Sequence, residues 1–179
     1  MPSAPPEPAE PVEGADRVDR IVAEWERERP DLDVGPQQLI GRLHRLGAVL
    51  TSRLVPVYAA HGLGEGEFDV LCALRRAGAP YERQPAELAR TTMITTGAAT
   101  KRVDRLEAGG LVRRVRRGGD DGRVVRVRLT AKGRRVVDAA FDDHVANEDA
   151  LVAGLGPRDR AALERILRTW LSDLAGDEA

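Results

Sequence analysis

The sequence predicts a mainly α-helical fold with one small β element. Between residues 16 and 174 most apolar residues recur every three or four positions, as they do in amphipathic helices. Directly after Gly109 and Gly110 the period changes to two, which is typical of strands. Positive charge collects in the same stretch: residues 95–128 hold ten Lys or Arg against four acids, whereas the whole chain has a formal net charge of -1. A net charge of +6 beside an acidic remainder favours a surface that binds a polyanion.

The N-terminal part of the chain divides into three predicted regions. Residues 1–14 hold five prolines and three glutamates, a composition typical of a disordered tail. Residues 15–29 form an extra N-terminal helix whose apolar stripe ends at Trp25. Within residues 30–60 a long helix begins at Pro36, because proline suits the first turn of a helix. We expect this third region to be a dimerisation helix.

The region 61–130 is predicted to hold three short helices and a two-stranded hairpin. The helices cover residues 67–77, 85–90 and 95–108, and the strands cover 111–116 and 124–130. The connections "HGLGEGE" and "GAPYERQ" have the composition of loops. "GLGEG" resembles part of a nucleotide-binding loop, but no strand precedes it and we discount that interpretation. A short helix, a turn, a second helix and a basic hairpin together predict a winged helix-turn-helix. Its second helix enters the major groove of DNA, and its wing reaches toward a minor groove.

Residues 131–176 are predicted to form two long helices that take part in dimerisation. The first runs from 131 to about 153, and the second begins at Pro157 with Leu163, Ile166 and Trp170 on one stripe. These helices carry more apolar surface than a domain of this size needs for itself. We therefore expect a homodimer with an isologous two-fold contact.

Composition and residue spacing argue against several other classes of protein. The single cysteine, Cys72, gives no disulfide framework and fits a reducing compartment. No signal-peptide pattern is visible, and no apolar run approaches the roughly 20 residues that cross a bilayer, so we expect a cytoplasmic protein without a membrane partner. The three histidines are far apart and no metal-ligand or nucleophile spacing appears. We therefore predict neither an enzyme nor a metal or cofactor. An acidic interaction module without DNA binding is the remaining alternative, and a steep loss of DNA affinity with salt would exclude it.

The string "AELARTTMITTGAATKRVDRLEAGGLVRRVRRGGDDGRVVRVRLTAKG" resembles the core of MarR-type transcriptional regulators. Its most specific pieces are "TKRVDRLEAGGLV", the wing tip "DGR" and "VRLTAKG", and the resemblance extends from about residue 36 to 174. It implies a homodimer that binds double-stranded, pseudo-palindromic operators, with repression as the default outcome. In the family pattern Arg123 reaches into the minor groove and Asp121 orients it. The DNA-binding residues predicted from this resemblance and from the basic hairpin are Thr95, Thr96, Thr100, Lys101, Arg105, Arg116, Arg117, Asp121 and Arg123.

Arg102 breaks the pattern of the second helix of this motif. At about 100° per residue, Ala99, Val103 and Leu106 define an inward face, and Arg102 falls in its middle. An inward guanidinium needs a partner, since an uncompensated buried charge is costly. A salt bridge to Asp69 or Glu65 is one interpretation. A polar cavity that contains Asp69, Arg76 and Arg102 is the other.

Trp25, Asp69, Arg76 and Arg102 also resemble the ligand set of the urate-responsive subgroup of the MarR family. The resemblance implies that the tryptophan of the extra helix, the aspartate and the two arginines bind urate, a planar monoanion. We hypothesise that an anion drawn between Arg76 and Arg102 pulls on the DNA-reading helix and releases the operator. Two alternatives stay open. In the first, the effector is a different planar molecule, such as xanthine or a phenolic or other aromatic acid, and the four residues form a purely structural cluster. In the second, Trp25 only anchors its own helix to the body.

Overall fold

A computed structural model of the chain describes residues 14–92, 96–116 and 125–176, except for the side chains of Thr96 and Ala175. Residues 1–13 of the predicted tail and the predicted DNA-binding residues Thr95, Arg117, Asp121 and Arg123 lie outside these residues. The chain forms two compact units, residues 1–51 and 52–179. The fold class is confirmed, since the described residues form helices and one small antiparallel sheet.

The described residues contain seven helices and three strands. In chain order they are α1 (Arg17–Glu28), α2 (Pro36–Ala60), α3 (Glu65–Arg76), β1 (Glu82–Arg83), α4 (Pro85–Thr91), α5 (Thr96–Ala108), β2 (Val112–Arg116), β3 (Val125–Leu129), α6 (Ala131–Val152) and α7 (Pro157–Ala175). Every helix expected from the periodicity is present, and α3 begins two residues before its predicted start. Within the described ranges, none of these helices is both apolar enough and long enough to cross a bilayer.

The first unit is built around the start of α1. The Asp16 carboxylate accepts hydrogen bonds from the backbone N–H groups of Val18 at 2.6 Å and Asp19 at 3.1 Å, and Asp19 accepts from the N–H of Asp16 at 2.9 Å. This reciprocal capping box fixes where α1 begins. The Arg42 guanidinium of α2 bonds Asp16 at 3.0 Å and Asp19 at 2.8 Å, so a single arginine joins the two helices.

The second unit packs around α3. Val70, Leu71, Ala73 and Leu74 of this helix have no exposed surface. They lie in one core with apolar residues from α4, α5, both of the longer strands and α6. A helix that is apolar on most of its circumference belongs in the middle of a domain. In this unit, α3 is therefore the support on which the other elements rest.

The sheet has three strands rather than the two that the sequence predicts. Its order is β1-β3-β2, and both pairs are antiparallel, with Glu82 opposite Arg128 and Val112 opposite Leu129. The prediction of a loop for "GAPYERQ" is wrong at Glu82 and Arg83, because two residues are too short to show a period and gain their conformation by pairing with β3. A glycine C-cap ends α5: Gly110 has φ +69° and the Leu111 N–H donates to the Leu106 carbonyl at 2.9 Å.

Candidate DNA interface and effector site

The recognition helix α5 presents one apolar face to the core and one polar face to solvent. Ala99, Val103 and Leu106 are buried, as predicted. Thr100 and Lys101 are exposed on the opposite side, where the sequence places DNA contacts. Thr96 is the first residue of α5. The helix thus offers a polar, small-residue surface of the kind that enters a major groove.

Arg105 is exposed but already has an acidic partner. Its Nε lies 2.8 Å from Oε1 of Glu67, with 68% of the Arg105 side chain exposed and 17% of the Glu67 side chain. Glu67 also accepts a hydrogen bond from the Gly64 N–H at 2.9 Å, so it caps α3 and holds Arg105 at once. A DNA contact by Arg105 therefore has to compete with this ion pair, whose free energy is small because it is exposed.

The wing is tied to α5 at its base. Arg114 of β2 bonds Asp104 at 2.5 Å and also pairs with Glu107, both on α5. Arg116, one of the predicted DNA contacts, is exposed at the end of β2. Much of the positive charge counted in the sequence is therefore used inside the domain, and Lys101 and Arg116 are among the basic residues that face outward.

Glu82 gathers two of the remaining arginines. Its side chain is only 4% exposed, and its Oε2 accepts from Nε of Arg128 at 2.7 Å, while Oε1 lies 3.8 Å from Nε of Arg126. The carboxylate therefore fastens β1 to β3 and balances charge within the sheet. Sequence reasoning missed this group, because an acid in a loop-like string carries no signal for a partner more than forty residues away.

Arg102 lies against α3 without the salt bridge that the sequence suggests. Within the described residues, neither Asp69 nor Glu65 forms an ion pair with it, so that interpretation is wrong. The Nη1 atom is buried and has no hydrogen-bond partner. The guanidinium instead rests on Gly66, so closely that a Cβ at residue 66 would overlap its Cζ and Nη1. The reason is geometric: α3 offers the guanidinium a backbone surface rather than an acidic side chain at the point of contact.

Asp69 is nevertheless in electrostatic contact with both predicted arginines. Burial raises the pKa of the Asp69 carboxyl, the nearby Glu65 raises it further, and the charges of Arg102 and Arg76 oppose that rise. The structure therefore brings Asp69, Arg76 and Arg102 into one electrostatic neighbourhood. Trp25, the fourth residue predicted from the sequence, lies on α1 in the first unit and is 47% exposed there.

A cavity of about 380 Å³ opens between α3 and α6; Arg76 lines it, but the predicted cavity residues Asp69 and Arg102 do not. Its walls combine both signs of charge with apolar surface. It is lined by Cys72, Arg75, Arg76, Val137, Asp138, Phe141 and Asp142. Arg75 is neutralised by Asp138, its Nε lying 2.6 Å from Oδ1, which leaves Arg76 as the arginine of the lining without a described ion pair. The volume suits a small planar ligand.

Two further groups of titratable residues lie near α3. The Tyr58 hydroxyl is 3.3 Å from Nδ1 of His144, whose Nε2 is 3.1 Å from Glu148. Burial raises the pKa of Tyr58 to about 12. Burial also raises the pKa of the Cys72 thiol to about 12, so Cys72 stays protonated and unreactive at neutral pH. The sequence gives no sign of the Tyr58–His144 contact, because its partners are 86 residues apart.

The chain is similar in sequence and structure to known transcriptional regulators. A family model described as MarR family matches residues 61–123. The HTH-type transcriptional regulator PecS of Dickeya dadantii (strain 3937) is 37% identical over 147 residues, which cover 82% of this chain and 88% of PecS. A mutant MarR from E. coli, solved in complex with operator DNA, is 26% identical with a TM-score of 0.66, over 78% of this chain and 99% of that chain. Bordetella bronchiseptica BpsR, from a structure concerned with regulation of its DNA binding by 6-hydroxynicotinic acid, is 25% identical with a TM-score of 0.64, over 74% and 93% of the two chains.

Proposed function

The chain belongs to the MarR family of DNA-binding transcriptional regulators, and from that premise we propose that it is a homodimeric repressor released from its operator by urate. The family binds operator DNA, and the described part of this chain contains the helix α5 and the wing strands with which a winged helix-turn-helix contacts DNA. Lys101 and Thr100 face outward on α5, and Arg116 faces outward on the wing. The operator is pseudo-palindromic, because a two-fold dimer presents two copies of α5 to two half-sites.

The apolar faces of α6 and α7 support a homodimer. No described residue of α7 is buried, although this helix carries an apolar stripe along its whole length. Ile166 is 50% exposed and Leu174 is 72% exposed, and Phe141 of α6 is 48% exposed. Contiguous apolar surface of this extent is unusual on a monomer and typical of an interface. A second copy of the chain, which has the same stripe, supplies the self-complementary cover.

The unpaired Nη1 of Arg102 is the observation that carries the effector proposal. A buried cationic donor without a partner is costly, and a bound anion that accepts from it recovers that cost. Asp69 and Arg76 lie in the same electrostatic neighbourhood. Urate matches this set because its ring carries one negative charge, several carbonyl acceptors and N–H donors that a carboxylate accepts. Trp25 completes the proposed set by resemblance, and an indole stacks well on a planar ring.

Release of DNA follows from the place of Arg102 on α5. An anion held by Arg76 of α3 and Arg102 of α5 draws the two side chains toward each other. Since Arg102 is part of the helix that reads the major groove, the pull changes the direction of α5 and weakens operator binding. The ligand shifts the equilibrium only by the difference in its affinity for the two orientations.

A different planar effector is the second candidate. The relation to BpsR, whose DNA binding is regulated by 6-hydroxynicotinic acid, favours an aromatic acid as the chemical class. Xanthine, which resembles urate in shape but is largely neutral at pH 7, separates recognition of charge from recognition of shape. A phenolic acid tests charge without the fused ring.

The first experiment is fluorescence anisotropy with labelled DNA from immediately upstream of the protein's own gene. The protein is titrated at fixed salt, and urate, xanthine or 6-hydroxynicotinic acid is then added to the complex. We expect about tenfold or greater weakening of operator binding by saturating urate, in the usual range of allosteric coupling. Arg102→Ala and Arg76→Ala should bind the operator and lose most of this response.

Arg168→Ala is the matched control, because Arg168 is a highly exposed arginine on α7 that pairs with Glu164. It should respond to urate as the wild type does. Tight operator binding that only 6-hydroxynicotinic acid releases would replace urate by the aromatic-acid class. A full urate response in Arg102→Ala would overturn the displacement mechanism.

A further inference from the structure

Gly66 occupies the point where α5 touches the first turn of α3. A Cβ built on Gly66 would overlap three atoms of the Arg102 guanidinium, Cζ, Nε and Nη1. The glycine lies inside the helix, and its φ is not in the left-handed region. The backbone therefore does not require glycine, and glycine disfavours a helix relative to alanine. What the glycine permits is the close approach of the Arg102 side chain, whose guanidinium would have to shift to make room for a Cβ.

Gly66 also lies on the face of α3 that carries the proposed ligand residues. Asp69 is three positions further on and Arg76 is ten positions further on, with the fully buried Ala73 between them. Residues at these spacings share one side of a helix. The guanidinium that rests on Gly66 is therefore held one turn from Asp69, the residue whose pKa its charge affects.

A second contact one residue along fixes the same pair of helices. Arg105, one turn after Arg102 on α5, pairs with Glu67 of α3 at 2.8 Å. Arg102 and Arg105 thus rest on consecutive residues of one α3 turn. The Arg105 contact is charged and exposed, whereas the Arg102 contact is steric and leaves Nη1 buried without a partner. The Arg102 contact thus leaves a buried guanidinium donor that a bound anion can satisfy.

We propose that Gly66 is a positioning residue for Arg102: by having no side chain, it seats the guanidinium on α3 and presents Nη1, unpaired, to the effector. The inference rests on the proposed function for the identity of that effector, but the seat itself does not depend on urate. Any side chain at residue 66 displaces the guanidinium. The recognition helix then loses the link through which the ligand acts on it, while Asp69 and Arg76 remain in place.

The test is a double-mutant cycle of Gly66→Ala and Arg102→Ala in the full-length protein, read first by thermal melting without urate. Gly47→Ala is the matched control for melting, since Gly47 is an exposed glycine inside α2 and a Cβ added there would meet no atom within 4 Å. It should raise Tm by about 2–4 °C through helix propensity alone. Gly66→Ala should raise Tm similarly in the Arg102→Ala background, and by at least about 2 °C less when Arg102 is present. Equal shifts in both backgrounds would show that Gly66 does not seat Arg102.

The second reading is the weakening of operator binding by saturating urate. We expect about tenfold or more in the wild type and less than about twofold in Gly66→Ala, in which all four proposed ligand residues are unchanged. A full urate response in Gly66→Ala would overturn the positioning role. If urate has no effect on the wild type while the melting cycle shows coupling, the proposed effector fails and the seat of Arg102 stands.

Discussion

Two groups of arginines inside the second unit differ in how their charge is balanced. In the sheet, Arg126 and Arg128 share the carboxylate of Glu82, whose side chain is 4% exposed. At the contact of α3 with α5, Arg102 rests on the backbone of Gly66, and its buried Nη1 has no partner. In the first group each arginine has a carboxylate partner within the chain, whereas Arg102 has no ion-pair partner among the described residues.

We propose that this difference separates a structural role from a ligand-binding one. A buried carboxylate with two guanidinium partners holds strands in register, and removing one member leaves the others uncompensated. A buried donor atom without a hydrogen-bond partner lowers stability until an external acceptor arrives. In our proposal the same residue type therefore stabilises the wing at Arg126 and Arg128 and binds the effector at Arg102.

Glu82→Gln tests the group formed by Glu82, Arg126 and Arg128, and it has the largest expected effect. We expect a loss of about 3–5 kcal/mol in the free energy of unfolding, because two arginines lose their shared counter-charge. Chemical denaturation at neutral pH measures it. Glu164→Gln, which removes half of an exposed pair on α7, is the control and should cost less than about 0.5 kcal/mol. An equal, small cost for both variants would contradict the structural role of Glu82.

Arg102→Met tests the arginine without an ion-pair partner, and it should not lower the free energy of unfolding as Glu82→Gln does. Methionine keeps most of the apolar length of the side chain and removes a buried donor that has no partner. We expect stability to stay the same or rise by about 1–3 kcal/mol, while the urate response is lost. Denaturation and anisotropy measure the two properties on one sample. A loss of stability as large as that of Glu82→Gln would mean that Arg102 is a structural residue.

Lys101→Ala sharpens the contrast between neighbours on α5. Lys101 is exposed, whereas Arg102 turns inward. We expect operator affinity to fall about tenfold and the slope of log affinity against log salt to decrease in magnitude by about 1, as for the loss of one phosphate contact. The fold-weakening by urate should not change. If Lys101→Ala altered the urate response instead, the division between the two faces of α5 would be wrong.

Asp69→Asn has the smallest expected effect, a change in Tm that depends on pH. Because burial raises the pKa of Asp69 above its ordinary value in the folded protein, its ionisation disfavours folding. That cost is absent below the unfolded pKa of about 3.9 and grows as pH rises toward the folded pKa. Asp69→Asn should therefore raise Tm at pH 7 by no more than about 3 °C, and the gain should vanish near pH 3.5. A gain that grows toward acid pH would contradict the sign.

The sequence was sufficient to predict all seven helices of the described residues and the inward turn of Arg102. Periodicity reports which face of a helix is apolar, so it predicted the buried face of α5 and the ends of α6. It could not predict β1, since Glu82 and Arg83 form a strand only because β3 is beside them. Nor could it choose between Asp69, Glu65 and no partner at all for Arg102. That choice depends on distances between α3 and α5, and in the structure the Arg102 guanidinium lies against Gly66.

The order and type of the elements, the concentration of positive charge near the wing and the motifs that resemble the MarR family can all be read from the chain. These are local properties, fixed by side-chain period and composition. Which charges pair is visible only in the folded chain, because an ion pair depends on a few ångströms between residues far apart in sequence. In the structure, ion pairs join Glu82 to Arg128, Glu67 to Arg105 and Asp138 to Arg75. The fold leaves Arg102 on Gly66 with a buried, unused donor.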